Sequence, residues 1–147
     1  MNRMTKEIMV TVSGIQFEIE ASEPVELITM GSYYNKNGKH YILYDESDME
    51  DGGLTKNRIK IDPNKVEVFK SGATNAQMIF EEGKTNLTYY DTVMGSLLMG
   101  VTTESIRIRE EEDKIRAKVR YSLEVNYTHI SDCEIVIEAK SKRIKSN

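Results

Sequence analysis

Apolar and polar residues alternate with a period of two along most of this chain. The longest such run places these apolar residues on one face: Ile115, Ala117, Val119, Tyr121, Leu123, Val125 and Tyr127. A strict period of two predicts a β-strand with one buried face, because successive side chains point to opposite sides of a sheet. A slip of one residue would turn every apolar side chain of the run toward water, so we expect a strongly specified register.

Similar short segments follow one another, separated by residues typical of turns. Residues 25–34 and 40–46 flank Asn37-Gly38, which tolerates positive φ and favours a tight hairpin. Gly14 is expected to break the first strand, and Thr102-Thr103 to separate strands over 97–101 and 105–109. The acidic residues 110–113 predict a turn and not a helix, because the pattern that follows them has period two.

The pattern as a whole predicts ten or eleven short strands and no helix of ordinary length. Many short strands joined by turns favour an antiparallel meander, and a sheet of that size tends to close so that no edge is exposed. We therefore predict an all-β fold, a single antiparallel up-and-down β-barrel of about 8–11 strands. A β-sandwich stays open as an alternative. The whole chain, 1–147, is expected to form one domain with a core over about 6–140 and a basic C-terminal tail over 141–147.

Several strand and turn signatures resemble a known family. They comprise the residues from Gly31 to Glu46 (Gly31-Ser-Tyr33-Tyr34-Asn-Lys-Asn-Gly38-Lys-His-Tyr41-Ile-Leu-Tyr44-Asp-Glu46), then Gly53-Leu-Thr55, Ser71-Gly72-Ala73, Gln77 to Glu81, Tyr90-Asp-Thr92 and Gly95. This set resembles the YwiB-like bacterial domains of unknown function, over about residues 6–139. The resemblance implies a calycin-like, lipocalin-like β-barrel in the cytoplasm, with no established activity or ligand.

Net charge and cysteine content make some classes of function and some compartments less favourable for this protein. The net charge is -4, which disfavours wholesale nucleic-acid binding but allows a local basic face. A single cysteine, Cys133, excludes an internal disulfide, and no long apolar segment or secretory signal is recognisable. These features lead us to expect a cytoplasmic protein, not membrane-associated, that needs no cofactor.

No catalytic constellation is recognisable, so we expect a protein that is not an enzyme, although a pair of carboxylates in a shared cleft stays open. His40 and His129 are both expected at exposed hairpin edges. Cys133 and His129 are placed on one strand face, too far apart for direct proton transfer. Cys133 shares that face with Ile135 and is therefore expected to be buried.

Five carboxylates crowd residues 45–53 and could hold a hard cation such as calcium. The order of ligands found in EF-hands is absent, and a solvated loop explains the same composition, so we predict no metal site.

Tyrosines concentrate in segments where both strand faces carry apolar groups. A barrel of this size is either filled by its side chains or able to hold one small ligand. The first functional hypothesis is therefore a non-catalytic binder of a small amphipathic molecule in the interior or at the mouth. Its candidate ligand-binding residues are Tyr33, Tyr44, Thr55, Gln77 and Tyr90. A packed core is the alternative.

Basic residues form rows on outward strand positions. If residues 105–109 pair with 115–120, one outward face carries Arg107, Arg109, Arg116, Lys118 and Arg120; Lys56, Arg58 and Lys60 form a second row. Such rows can pair with phosphates, although charged outward positions also simply keep a sheet in solution. The second hypothesis is an interaction module for a protein or RNA partner. The oligomeric state is left open.

Overall fold

The computed structural model describes residues 4, 6–15, 24–47, 53–72, 75–92 and 95–142. Within these ranges the chain forms ten β-strands. They are β1 (Glu7–Ile15), β2 (Pro24–Lys36), β3 (Lys39–Ser47), β4 (Leu54–Asp62), β5 (Lys65–Gly72), β6 (Ala76–Glu81), β7 (Thr85–Thr92), β8 (Gly95–Glu110), β9 (Lys114–Val125) and β10 (Thr128–Ser141). No helix that could cross a membrane occurs in this part of the chain.

All ten strands belong to one antiparallel sheet, in the order β6-β5-β4-β3-β2-β1-β10-β9-β8-β7. Every strand pairs with its neighbour in sequence except β6 with β7, and β1 pairs in addition with β10. The sheet curls into a nearly closed barrel. The predicted all-β fold, its meander topology and the number of strands are therefore confirmed, and the sandwich is excluded because there is one continuous sheet.

The barrel closes where the first and last strands of the sheet order, β6 and β7, meet without a hydrogen-bonded ladder. We call this junction the seam. The Asn86 side-chain amide donates to the backbone oxygen of Ile79 across it, at 3.2 Å. The backbone N–H of Gly83 donates to the oxygen of Thr103 at 2.9 Å and holds the β6–β7 turn against β8.

The meander gives the barrel two different ends. One end of the barrel, which we call the loop end, has the Asn126-Tyr127 turn and the strand ends at Ile15, Pro24, Ser47, Leu54, Gly72, Ala76, Thr92 and Gly95. The short turns at 37–38, 63–64, 82–84 and 111–113 point to the other, the turn end. Most residues of the loop-end connections lie outside the described part of the chain.

Alternation builds the core. Along β9 the odd-numbered residues from Ile115 to Leu123 are buried, and the even-numbered residues between them are exposed or half-buried. Inward residues from the other strands meet them, and the Phe80 and Tyr121 rings lie 4.8 Å apart. The largest fully buried side chains are Phe80, Ile8, Ile42, Ile59, Ile61, Ile115, Leu123 and Ile137.

Two tight turns have the positive φ values that a type I′ hairpin needs. Asn37 and Gly38 have φ of 54° and 77°, which confirms the hairpin predicted there. Asn126 and Tyr127 have φ of 49° and 67°. The prediction that Tyr127 continues the buried row is therefore wrong: the strand ends at Val125, and Tyr127 lies in the turn with 75% of its surface exposed.

The predicted break at Thr102-Thr103 is also wrong, because one long strand, β8, spans both predicted segments. A β-bulge between Thr103 and Ser105 adds one residue. It shifts the inward positions from odd numbers (Val101, Thr103) to even numbers (Ile106, Ile108).

The structure moves two further boundaries. β1 continues through Gly14, which pairs with both Val25 and Ile135, so the predicted break there is wrong. β10 continues to Ser141, one residue into the predicted tail, and residues 143–147 lie outside the described residues.

Candidate ligand-binding cavity

A cavity of about 330 Å³ lies inside the barrel toward the loop end, against the seam. Six strands line it, from β3 to β8, and β6 and β7 face each other across it. Its lining residues are Glu46, Thr55, Val68, Lys70, Ala76, Met78, Tyr90 and Met99.

One wall of the cavity is apolar because the inward positions of β5 and β6 stand opposite each other. Val68 pairs with Met78, and Lys70 pairs with Ala76 one step nearer the loop end. Met99 on β8 is 5% exposed and Val68 8%. The cavity lies between these side chains, beside the junction where β6 and β7 have no ladder.

Toward β3, the lining of the cavity carries an inward-facing ion pair. The Lys70 ammonium donates to Glu46 Oε1 at 2.6 Å and to Asn57 Oδ1 at 2.8 Å. The Lys70 and Glu46 side chains are 31% and 35% exposed, so this pair is half-buried. An ammonium has three N–H donors, and two are used here, which leaves one for a molecule in the cavity.

Two polar groups lie beside this pair. Asn57 is 2% exposed, and its amide nitrogen has no hydrogen-bond partner among the described residues. Tyr44 stands opposite Asn57 in the β3–β4 ladder. Burial raises the pKa of the Tyr44 phenol, and the negative charge of Glu46 raises it further. Tyr44 is therefore a protonated phenol at neutral pH.

The structure separates the five candidate ligand-binding residues. Thr55 and Tyr90 line the cavity, and Tyr44 lies in the core, 6% exposed. Tyr33 is buried toward the turn end, away from this cavity. Gln77 is on the outer face, because its neighbours Ala76 and Met78 point inward, and its inclusion in an interior site was wrong.

Sequence reasoning missed Glu46 and Lys70 as inward residues. Their positions in the alternation of each strand could have shown that they point inward. Glu46 shares its strand face with Ile42 and Tyr44, and Lys70 shares its face with Val66 and Val68. Their charges suggested solvent instead.

His40 is 4% exposed, so its predicted position at an exposed hairpin edge is wrong. The Tyr33 hydroxyl lies 2.7 Å from His40 Nδ1, and His40 Nε2 bonds to Glu110 at the end of β8. A carboxylate only accepts, so Nε2 carries the proton; in the neutral ring Nδ1 then accepts from the phenol. These two hydrogen bonds join β2, β3 and β8 at the turn end.

His129 is exposed as predicted, and it lies 3.2 Å from Asp132. Hydrogen bonds from Ser122 and His129 lower the pKa of the Asp132 carboxyl. Cys133 is buried as predicted. The two residues do not share a face, because a bulge between His129 and Ser131 breaks the alternation of β10.

The acidic segment is only partly described, since 48–52 lie outside the described residues. Its inward member, Glu46, is bonded to Lys70. Within the described ranges no group of three or more histidine, cysteine or carboxylate side chains could hold a metal ion.

The predicted basic face forms as β8 and β9 pair. Arg109 stands opposite Arg116, and Arg107 opposite Lys118, around a shallow outer groove. Arg120 lies beside them, opposite Ser105. The second row, on β4, also faces outward.

Comparison with known proteins returns one family. A family model described as Domain of unknown function (DUF1934) matches residues 10–137. The uncharacterised β-barrel protein YwiB of Bacillus subtilis (strain 168) is 30% identical over 118 residues, which are 79% of this chain and 82% of that protein. The crystal structure of the ywiB protein from Bacillus subtilis superimposes with a TM-score of 0.78 at 27% identity and covers 96% of both chains.

Proposed function

Since this chain belongs to the YwiB-like DUF1934 family, whose description assigns no function, we propose its function from the interior of the barrel: it binds a small amphipathic molecule without covalent chemistry. The observation that carries the proposal is the cavity at the seam. Its 330 Å³ lies at the lower end of the range for ligand pockets, about 300–1,000 Å³. Small barrels of the lipocalin kind hold one ligand in the same way.

The lining divides the cavity into an apolar and a polar side. The Val68, Met78 and Met99 side chains offer an apolar surface, and methionine adapts its shape to different ligands. The Lys70 ammonium offers one N–H donor on the other side. A ligand with an apolar body and a single acceptor group satisfies both sides.

The ion pair indicates an uncharged acceptor. Glu46 neutralises Lys70 at 2.6 Å, so a ligand carboxylate would approach the Glu46 carboxylate in a partly buried site. A carbonyl, ester or hydroxyl oxygen accepts from Lys70 without that repulsion. We therefore expect a neutral amphipathic ligand.

The ionisable groups around the cavity support a function in binding and not in catalysis. Lys70 and Glu46 are bonded to each other at 2.6 Å, and the raised pKa of Tyr44 keeps its phenol protonated. These groups are poor nucleophiles and poor bases at neutral pH.

The first test compares two substitutions on adjacent residues of β6. Ala76→Leu extends into the cavity, whereas Gln77→Leu adds the same side chain on the outer face. We expect Ala76→Leu to weaken binding of the fluorescent amphiphile N-phenylnaphthylamine at least tenfold, and Gln77→Leu to leave it unchanged. Fluorescence titration measures both. Equal affinity in the two variants, or no saturable binding by the wild-type protein, would overturn the proposal.

A second binding experiment tests the polar side of the cavity. Prodan is a naphthalene that carries a carbonyl group, and it should gain affinity from the Lys70 donor. The double variant Lys70→Met with Glu46→Met removes the Lys70 donor and leaves neither an unpaired charge nor a new N–H donor in the cavity. We expect it to weaken prodan binding about tenfold, as for a charge-assisted hydrogen bond, and to leave N-phenylnaphthylamine binding within about twofold. If both probes respond equally, the ligand is held by apolar contact alone.

A further inference from the structure

The outer face of the β8–β9 hairpin brings positive charges together where a sheet normally separates them. Arg109 is directly opposite Arg116, and Arg107 is directly opposite Lys118. Opposite residues on antiparallel strands have Cβ atoms about 4.5–5.5 Å apart, and like charges in such pairs destabilise a sheet. The two pairs are two residues apart, about 7 Å along the strands.

These cations have little compensation from carboxylates. Within the described residues, no carboxylate lies within 4.0 Å of Arg107, Arg109 or Arg116. Glu138 stands opposite Arg116 on β10 but makes no ion pair with it. Lys118 and Arg120 share Glu134 at 3.7 Å each.

The second basic row, on β4, is arranged differently. Lys56 is opposite Asp45, and Lys60 is opposite Glu67 with its ammonium 3.7 Å from that carboxylate. Arg58 lies over the Phe69 ring, 4.8 Å from its centre. Arg58 and Lys60 therefore have partners within the protein, whereas Lys56 faces Asp45 without an ion pair among the described residues.

We propose that the four cations Arg107, Arg109, Arg116 and Lys118 bind the sugar-phosphate backbone of single-stranded nucleic acid. Each cross-strand pair converges on one phosphate, and the 7 Å step between the pairs places a second phosphate along the strands. Three of the four are arginines, whose planar fork binds two phosphate oxygens at once. A shallow groove of about 510 Å³ runs between them.

The composition of this face favours a phosphate backbone over a protein. Protein interfaces depend on buried aromatic and aliphatic anchors. The exposed large apolar side chains of the described residues lie on β1, β2, β4 and β7 and in the β9–β10 turn, and none lies on the Arg107–Lys118 face. The same lack of aromatic groups removes base stacking, so binding is expected to be independent of sequence.

The number of contacts predicts the salt dependence. Two phosphates, each held by one cross-strand pair, give a slope of about -1.4 in a plot of log affinity against log salt concentration for a single strand. Raising salt from about 50 mM to about 200 mM therefore weakens binding about 7-fold. The probe is a short fluorescein-labelled oligouridine, and anisotropy measures its affinity. An oligodeoxythymidine of equal length is expected to bind equally well, because only phosphates are contacted.

The variant Arg109→Gln/Arg116→Gln removes one pair and should reduce the slope to about -0.7. The matched control Lys56→Gln/Arg58→Gln removes two exposed cations of the other row and should leave slope and affinity unchanged. Arg109→Glu should lose oligouridine binding while the melting temperature rises, because it turns a like-charge pair into an opposite one. That combination separates lost binding from lost folding.

Three results would overturn this proposal: an unchanged slope in the arginine variant, an equal loss in the control, or capture of a polyglutamate peptide in place of both nucleic acids. The last would assign the face to an acidic protein segment. Binding of N-phenylnaphthylamine should be the same in all of these variants, so the cavity and the basic face are tested independently.

Discussion

At the scale of single residues, parity along a strand decides burial more reliably than residue type does. His40 and Glu46 occupy the same face of β3 as Ile42 and Tyr44. Both were expected in solvent, because histidine and glutamate are usually exposed. Each instead bonds to side chains of other strands, His40 to Tyr33 on β2 and Glu110 on β8, and Glu46 to Lys70 on β5. Buried polar groups require such partners.

Removing the hydroxyl of Tyr33 tests the His40 arrangement. Tyr33→Phe keeps the ring but leaves His40 Nδ1 without the donor at 2.7 Å. An unpaired buried acceptor costs about 1–3 kcal/mol, so we expect the free energy of unfolding to fall by that amount. Urea denaturation measures it.

The neighbouring residue supplies the control. Tyr34 is 42% exposed and stacks on Tyr41 at 4.5 Å on the outer face. Tyr34→Phe keeps that stacking and should change stability by less than about 0.5 kcal/mol. Equal effects of the two substitutions would show that the Tyr33 hydroxyl does not support His40.

At the scale of elements, the alternation predicts which residues form strands, and bulges decide how a long strand continues. Residues 97–101 and 105–109 alternate with opposite parity, and the sequence predicts a break between them at Thr102-Thr103. The bulge at Thr103 to Ser105 explains it, since one additional residue lets both segments point their apolar side chains inward. Arg107 and Arg109 point outward because of this bulge.

Deletions distinguish a bulge from regular strand. Deleting Glu104 removes the additional residue, so the residues on both sides keep their faces, and we expect a cooperatively folding protein. Deleting Lys118 from β9 would turn Ile115 and Ala117 outward or shift their pairing, and we expect loss of cooperative unfolding. Circular dichroism during thermal unfolding measures both. A Glu104 deletion as damaging as the Lys118 deletion would contradict this account of β8.

At the scale of the whole molecule, closure of the barrel buries phenols that would otherwise ionise near pH 10. Burial raises the pKa of Tyr44, with a further contribution from Glu46. Burial likewise raises the pKa of Tyr121, and its neighbour Cys133 adds to the effect. In the unfolded chain both phenols have pKa values near 10.0.

The alkaline stability of the protein follows from this difference. Above about pH 10 the unfolded chain loses two protons that the folded protein retains, so stability falls as pH rises. Each phenol contributes a slope of up to about 1.4 kcal/mol per pH unit. Tyr44→Phe/Tyr121→Phe should remove this part of the slope, whereas Tyr89→Phe/Tyr127→Phe, two exposed positions, should not. Urea midpoints between pH 9 and 11.5 measure it, and identical slopes in both double variants would contradict it.

The sequence by itself determined the strands, most of their faces, the Asn37-Gly38 hairpin and the pairing that assembles the basic face. These features are local: period-two alternation, turn residues and a hairpin between adjacent strands need no information from elsewhere in the chain. The barrel itself followed from the number of strands and their short connections.

Only the tertiary structure decided what lies inside the barrel. The cavity is lined by residues from Glu46 to Met99, on six strands, and β6 and β7 have no ladder between them where they border it. His40 bonds to Glu110, 70 residues away in sequence, because closure of the sheet brings β3 and β8 together. Such contacts depend on how the whole sheet closes, and no period or spacing along the chain encodes them. The interior site therefore belongs to the closed barrel, whereas the basic face belongs to one hairpin.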